Sequence, residues 1–282
     1  MMTWRTLGSL IATLAVTAAA QAQTYPLKAD PLVGAHAEVK IAMTLTGEMK
    51  VQQEGKEGKL EVIALKESAT AEHAYVERIL QAGADGTADR SARYYKTARV
   101  VIAVGDGKSE RSLREDRRFL IAQRIKDAVV TYCPVGTLTR EELQLTEHFD
   151  TLAVAGLLPG RAVAVGETWK LANPVAQALC HFDGLTAQEL VGKLEQVKDD
   201  VATITVNGTA AGIDLGATVA VTVTASARFD LKAKRLTGLE WKQSDERKQG
   251  PASPESTVAI TYTLSWTPIE PGSVPEVGDI RL

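Results

Sequence analysis

Two copies of the tripeptide His-Phe-Asp are the part of this sequence best suited to chemistry. They are His148-Phe149-Asp150 and His181-Phe182-Asp183, on either side of the middle of the chain. Two imidazoles and two carboxylates could ligate a metal ion, or each His-Asp pair could act as a general base and its orienting group. Both roles require the four side chains to converge, which spacing alone does not establish. The alternative is a pair of ordinary surface or half-buried histidines.

Other common catalytic motifs are incomplete or missing from the sequence. The run Gly105-Asp106-Gly107-Lys108-Ser109 ends like a phosphate-binding loop, but Ile102 occupies the position of the required first glycine, so we interpret the run as a hairpin turn. The patterns G-x-S-x-G, H-E-x-x-H and paired C-x-x-C do not occur. Trp169, Trp241 and Trp266 are widely separated, and core packing is the usual role of an isolated tryptophan. We therefore assign no catalytic, cofactor-binding or metal-binding residue and expect no cofactor.

The first 22 residues have the composition of a secretory signal peptide. One positive charge, Arg5, precedes an apolar, uncharged run over residues 7–20, and Ala20-Gln21-Ala22 provides the small residues that signal peptidase recognises. The run is shorter than the ~20 residues of a membrane-spanning helix. We therefore predict cleavage after Ala22 and a periplasmic or extracellular mature chain without a membrane span.

The charge balance bears on possible partners. Removal of residues 1–22 takes one of the 32 basic residues and none of the 35 acidic residues, which leaves a formal charge of −4. The basic-looking segment 110–118 has a net charge of only +1, as expected of a solvated surface. Nucleic acid is therefore excluded as an expected partner.

Cys133 and Cys180 would meet an oxidising environment after export. We expect a disulfide between them, which would stabilise the fold by roughly 4 kcal/mol if the main effect is on the entropy of the unfolded chain. The alternative is a reactive thiol, which requires a neighbouring base or cation to lower its pKa. His181, next to Cys180, is one candidate for that neighbour.

Alternation of apolar and polar residues indicates β-strands over two stretches, 34–135 and 186–267. In the first stretch, Glu67-Ser68-Ala69-Thr70 is expected to turn a hairpin between strands at 60–65 and 71–80. In the second, Asn207-Gly208 indicates either a two-residue hairpin or one long, bulged strand.

The segment between these stretches has helical signals. Thr139 and Glu142 match the capping box that starts a helix, so we predict one helix between residues 139 and 157. A shorter helix is predicted from Asn173, with Pro174 at its first position.

The same segment contains a phrase that resembles a family of uncharacterised exported bacterial proteins. Residues 158–169 match the pattern L-P-x-x-x-V-x-V-G-x-x-W, and the similarity extends over roughly residues 100–267. The resemblance implies secretion and a β-rich fold but no catalytic residues. We assign structural roles to three of these residues: Pro159 stops a helix, Gly166 turns the chain, and Trp169 buries its ring. Val163 and Val165 should share one face of an extended segment.

These patterns predict a mainly β fold of antiparallel meander sheets, arranged as a curved sheet, a half-barrel or a sandwich, with one or two short helices in a central connector. The mature region 23–282 is either one sheet or two sub-domains, 34–135 and 160–267, joined by the helical connector 139–157. Residues 268–282 are expected to form an irregular tail.

The predicted function is that of an exported, non-catalytic envelope protein that binds an apolar ligand or a protein partner. A curved sheet with an apolar concave face under a helical lid would support this hypothesis. The alternative is a metal-binding protein or hydrolase that uses His148, Asp150, His181 and Asp183.

Overall fold

A computed structural model describes residues 23–54, 59–83, 86–126, 128–146 and 149–270. These residues form strands and two short α-helices, with single turns of 3-10 helix at Glu115–Arg117 and Val154–Leu157. In chain order the elements are β1 (Thr24–Leu27), β2 (His36–Glu54), β3 (Leu60–Ala82), β4 (Ala88–Val104), β5 (Gly107–Ser112), β6 (Phe119–Ile125), β7 (Ala128–Tyr132), α1 (Arg140–Thr146), β8 (Arg161–Ala164), β9 (Thr168–Lys170), α2 (Asn173–Leu179), β10 (Gly184–Gln188), β11 (Val191–Lys198), β12 (Val201–Asp214), β13 (Ala217–Asp230), β14 (Arg235–Arg247) and β15 (Glu255–Pro268).

One curved, open sheet of 13 strands contains all of these strands except β1 and β8, which pair with each other. Its order is β7-β6-β4-β3-β2-β15-β14-β13-β12-β11-β9, with β5 beside β4 and β10 beside β12. Every pairing is antiparallel, and β2 joins β15, so strands of both predicted stretches belong to the same sheet. The predicted mainly β fold is confirmed.

The sheet has one apolar face, which we call the inner face. On β13, Val219, Val221 and Val223 are buried, whereas Ala220 and Thr222 between them are exposed. The segment between β7 and β10, within residues 133–183, packs on this face, and we use the name connector for it from here on in place of the narrower predicted range 139–157. The ring of Phe149 lies 6.3 Å from that of Trp241 and 4.8 Å from that of Tyr262, measured between centroids. Burial of the alternating apolar residues is what holds the sheet and the connector together.

The capping box at the start of α1 is confirmed. The Glu142 backbone N–H donates to Thr139 Oγ1 at 3.2 Å, and the Thr139 N–H donates to Glu142 Oε2 at 2.8 Å. The helix predicted between residues 139 and 157 is present but covers only the first part of that range: α1 spans Arg140–Thr146, and residues 149–153 are not helical. Asp150 starts a separate turn by accepting the N–H groups of Leu152 and Ala153 at 3.0 and 3.1 Å. The second helix, α2, begins at Asn173 as predicted.

The predicted hairpin at residues 67–70 is also wrong. β3 continues through this segment and pairs with β2 without a shift of register, with Ser68 opposite Thr46 and Thr70 opposite Thr44. Small polar residues suit this part of the strand because Ser68 and Thr70 lie on the exposed outer face. Asn207-Gly208 lies within β12, so the long strand is the correct alternative.

Polar side chains fasten the connector to the sheet. His73 Nε2 on β3 donates to the Leu145 carbonyl at 2.9 Å. Arg114 forms a bidentate ion pair with Glu142, at 2.6 and 2.8 Å.

None of the described helices has the length and apolar composition needed to cross a membrane. Of the predicted tail, residues 271–282 lie outside the described residues.

Candidate ligand-binding site

An apolar cavity of about 190 Å³ opens at the end of the sheet where β2 begins and β13 turns into β14. Its apolar wall comes from both the sheet and the connector, mainly Ile79, Leu152, Val154, Leu236 and Trp266. Leu152, Val154 and Leu236 are buried, and Trp266 is half-buried. Most of the surface facing the cavity is therefore hydrocarbon.

One wall is the loop that precedes β2, residues 28–35, which we call the tip loop. Ala35 N–H donates to the Leu32 carbonyl at 3.0 Å, and Gly34 has a φ of +86°, which the third position of a type II turn requires. Gly34 N–H donates to the Ile79 carbonyl at 2.8 Å, and Asp30 N–H donates to the Lys234 carbonyl at 3.0 Å. The tip loop is thus fixed at both ends.

Charged groups at the floor of the cavity are already engaged. Glu77 lines the cavity and accepts Arg93 Nε at 3.1 Å, and Arg93 Nη2 donates to Thr151 Oγ1 at 2.8 Å. The Arg93 guanidinium also lies 5.3 Å from the centroid of the Tyr75 ring. Since Glu77 and Arg93 satisfy each other, the floor adds little cost to the entry of an apolar group.

His36, another lining residue, is kept neutral at pH 7. Partial burial lowers the pKa of its imidazole, and the charge of Arg78 lowers it further. The histidine therefore adds no charge to this wall.

A second, polar cavity of about 570 Å³ lies between β6–β7 and the end of α2. Three of the residues singled out in the sequence line it: Asp150, His181 and Asp183. His148, the fourth, lies outside the described residues. The structure therefore brings one carboxylate of the first tripeptide to the same cavity as the second tripeptide.

Both carboxylates have partners that fix the backbone or a neighbouring strand. Asp150 Oδ2 accepts Arg124 Nη2 at 2.6 Å, in addition to its two backbone bonds. Asp183 Oδ2 accepts the Leu215 N–H at 2.8 Å. Within the described ranges, no group of three or more His, Cys, Asp or Glu side chains is placed to hold a metal ion. The alternative His/Asp site stays a hypothesis.

Cys133 and Cys180 are free thiols in the structure, so the expected disulfide is not formed there and stays a prediction. Cys133 is half-buried, and Cys180 is buried. Burial raises the pKa of the Cys180 thiol to about 12, and the charge of Asp245 contributes in the same direction. Cys180 is therefore protonated at neutral pH, which is the opposite of what a reactive thiol needs.

Residues 158–169, which carry the pattern of the exported family, position the connector through a turn at Gly166 and the buried ring of Trp169. Gly166 turns the chain at a φ of +87°. The Trp169 indole is buried, donates Nε1–H to the Leu157 carbonyl at 2.9 Å, and packs against Gly192, where a Cβ would lie 2.5 Å from the ring. The expectation for Val163 and Val165 is wrong: Val163 is fully buried, but β8 ends at Ala164 and Val165 is exposed.

Sequence reasoning missed the apolar cavity and the tip loop. The run Pro31-Leu32-Val33-Gly34 does contain a usable signal, because two large apolar residues between proline and glycine indicate a turn with an apolar apex. The buried Arg93 had no such signal, since it lies in a strand among other polar residues.

Comparison with known proteins leaves the chain unassigned. No family model and no curated protein sequence matches it. Among solved structures, a lipovitellin structure describing lipid–protein interactions covers 89% of this chain at 7% identity and a TM-score of 0.46, and the chain spans only 26% of that protein. An outer membrane channel from Pseudomonas putida F1 covers 85% (97% of the channel) at 8% identity and a TM-score of 0.28. DynF from the dynemicin biosynthesis pathway of Micromonospora chersina covers 95% (96% of DynF) at 8% identity and a TM-score of 0.20. With all three TM-scores below 0.5, these similarities assign neither a family nor a function.

Proposed function

We propose that this chain is an exported, non-catalytic envelope protein that binds an apolar group in the cavity between the tip loop and the inner face of the sheet. The observation that carries the proposal is the composition of that cavity: a hydrocarbon wall above an internally neutralised Glu77–Arg93 pair. The ligand is a small apolar molecule or the apolar end of a larger one.

The volume of the cavity supports a small apolar occupant. Apolar cavities of about 150 Å³ bind benzene-sized molecules, and this cavity, at about 190 Å³, is slightly larger. Burial of such a group is favourable in proportion to the apolar surface removed from water, by roughly 25 cal/mol per Å². A head group would remain at the mouth, beside Lys234 and Arg235.

The architecture around the cavity also favours an apolar ligand. The inner face is mostly apolar, and the connector covers it with its own side chains, such as Leu145 and Phe149. The cavity lies where this cover reaches the tip loop. Ligand sites in proteins are concave and mostly apolar with a few polar groups, which matches this arrangement.

The test is a titration with toluene and, separately, with octanoate, followed by methyl NMR. We expect shifts centred on the methyl groups of Ile79, Leu152, Val154 and Leu236. Ala155, a half-buried alanine of the connector that lines the cavity, is changed in Ala155→Phe so that the ring fills the space. The matched control is Ala178→Phe, because Ala178 is equally a half-buried connector alanine but lines the polar cavity.

Binding that is lost in Ala155→Phe and kept in Ala178→Phe is the expected result. Thermal unfolding of both variants checks that each is folded. If neither probe binds the wild-type chain, or if Ala155→Phe binds as well as wild type, the apolar-ligand function is wrong and a protein partner becomes the leading candidate.

A metal-binding or hydrolytic function is the second candidate, favoured by the presence of Asp150, His181 and Asp183 around one cavity. Its test is native mass spectrometry of the chain isolated from its host. A stoichiometric metal that disappears in His148→Ala or His181→Ala would establish this function in place of the first. A metal-free wild-type chain would count against a metal site.

A further inference from the structure

The end of the sheet that contains the apolar cavity also presents two large apolar side chains to solvent. Leu32 and Val33 are 66% and 65% exposed at the apex of the tip loop. Hydrogen bonds from Gly34 and Asp30 fix the loop on both sides, so the apex is held in place. Exposed apolar residues at a fixed apex are a feature of surfaces that contact a partner or a membrane.

The charge around this apex is opposite in sign to that of the whole chain. Apart from the buried Glu77, which pairs with Arg93, six basic and four acidic side chains stand on the tip loop, the adjacent turns and the end of β3, a net charge of +2 against −3 for the chain. They are Lys28, Arg78, Lys198, Lys232, Lys234, Arg235, Asp30, Asp199, Asp200 and Asp230. Lys232 pairs with Asp200, and Lys234 lies 3.8 Å from Asp30. After these pairs, four basic residues remain against Asp199 and Asp230, and the surplus of +2 is nearest the apex on Lys28, Arg78 and Arg235.

We propose that the tip loop docks on the surface of an anionic lipid bilayer, with Leu32 and Val33 entering the interface and the surrounding basic residues facing the lipid head groups. An apolar apex with a basic surround combines the two attractions that hold a protein at such a surface, namely burial of hydrocarbon and attraction to anionic head groups. A protein partner would explain the basic residues around the apex only if its own surface were acidic.

The docking site rests on the proposed function in one respect. Pro31 and Leu32 line the apolar cavity as well as the apex, so a chain docked in this way has its cavity mouth at the lipid surface. The bilayer is then the source or the destination of the apolar ligand. Val33, Lys28 and Arg78 do not line the cavity, and this separates the two proposals in experiment.

The experiment is vesicle flotation with the chain as isolated from its host, its N terminus identified by mass spectrometry. Vesicles of phosphatidylcholine alone are compared with vesicles of equal parts phosphatidylglycerol and phosphatidylcholine. Val33→Ser should weaken binding to the anionic vesicles by about ten-fold, because it removes the burial of one valine side chain. Lys28→Gln and Arg78→Gln should each weaken it by about five-fold, and added salt should do the same.

The matched control for Val33→Ser is Val62→Ser. Val62 is 64% exposed on the outer face of β3, next to Glu61 and opposite Gln52 of β2 rather than in a basic surround. It should leave vesicle binding unchanged. Absence of flotation with anionic vesicles, equal flotation with both kinds of vesicle, or equal effects of Val33→Ser and Val62→Ser would each overturn the docking proposal.

Toluene binding is measured on the same variants to keep the two proposals apart. We expect Val33→Ser to bind toluene like the wild-type chain. Loss of vesicle binding in a chain that still binds toluene is the signature of the docking site. Vesicle binding by a wild-type chain that does not bind toluene would leave docking in place and refute the apolar-ligand function alone.

Discussion

His73 should make the folded chain sensitive to mild acid. It lies on the inner face of β3, is only 3% exposed, and donates Nε2–H to the Leu145 carbonyl at the end of α1. Its ring also meets the ring of Tyr95 edge-on at 6.3 Å. Burial lowers the pKa of His73 from 6.5 to about 4, although the bond to Leu145 acts in the opposite direction.

The sign and size of the effect follow from this pKa. The folded state keeps His73 neutral, whereas the unfolded chain takes up a proton below its pKa of 6.5. The contribution of His73 is therefore fully present above pH 6.5 and is lost as the pH falls towards 4. At 1.36 kcal/mol per pKa unit, the loss relative to neutral pH is about 2 kcal/mol by pH 5 and about 3 kcal/mol by pH 4.

The assay is urea unfolding between pH 7 and pH 4, followed by tryptophan fluorescence, on wild type and His73→Gln. Glutamine keeps a donor for the Leu145 carbonyl but does not titrate. Subtracting the two profiles removes the contribution of every other titrating group. His181→Gln is the matched control, because the His181 side chain is exposed.

We expect the advantage of wild type over His73→Gln to shrink by about 2 kcal/mol from pH 7 to pH 5. The same change with pH should be found when His73→Gln is introduced into the His181→Gln background. A difference between wild type and His73→Gln that does not change with pH would refute the assignment of a buried, neutral His73, and a difference that grows as the pH falls would show that the imidazolium is stabilised in the folded state.

Three further changes test other parts of the fold. Burial raises the pKa of Asp245 to about 6 from an ordinary 3.8, so the folded chain holds a destabilised carboxylate at pH 7. Asp245→Asn should therefore raise the free energy of unfolding at pH 7 by up to about 3 kcal/mol. Urea unfolding should no longer detect this gain below about pH 4. Gly192→Ala, whose Cβ would lie 2.5 Å from the Trp169 ring, should lower the free energy of unfolding by about 3 kcal/mol or more and alter the tryptophan fluorescence. Gly166→Ala meets nothing within 4 Å and should lower it by only about 1 kcal/mol, through its positive φ. Similar unfolding midpoints for the two variants would contradict this. Glu142→Ala removes both the cap and the Arg114 pair and should lower stability by about 2 kcal/mol in thermal unfolding; an unchanged midpoint would mean that α1 does not depend on its cap.

Local features of the fold could be predicted from the sequence because short-range physics determines them. The alternation along β13 and the capping box of Thr139 and Glu142 depend on neighbouring residues, and the structure has both. The hairpin prediction at residues 67–70 failed because it depended on a distant partner. The polar side chains of these residues resemble a turn in the sequence, whereas pairing with β2 keeps them in a strand, with Ser68 and Thr70 on its solvated face.

The candidate site was harder to predict because distant segments build it. Its walls come from the tip loop, from Ile79 on β3, from the connector and from Trp266 near the end of β15. No residue in this set has unusual chemistry, and no short motif contains two of the segments. The His-Phe-Asp repeats were conspicuous in the sequence, yet Asp150 and Asp183 have hydrogen bonds that stabilise turns and strand ends.

The pairing of β2 with β15 has a consequence for how the chain acquires its fold. Val39 lies opposite Trp266, so the centre of the sheet joins residues that are 227 positions apart. Contacts of such long range form slowly, because a large loop must close before they contribute. The two halves of the sheet can therefore assemble as separate meanders, but the sheet cannot be completed until β15 has been synthesised. Under the export that we propose, in which the chain would cross a membrane unfolded, this late completion would keep the chain competent for transport until β15 has emerged.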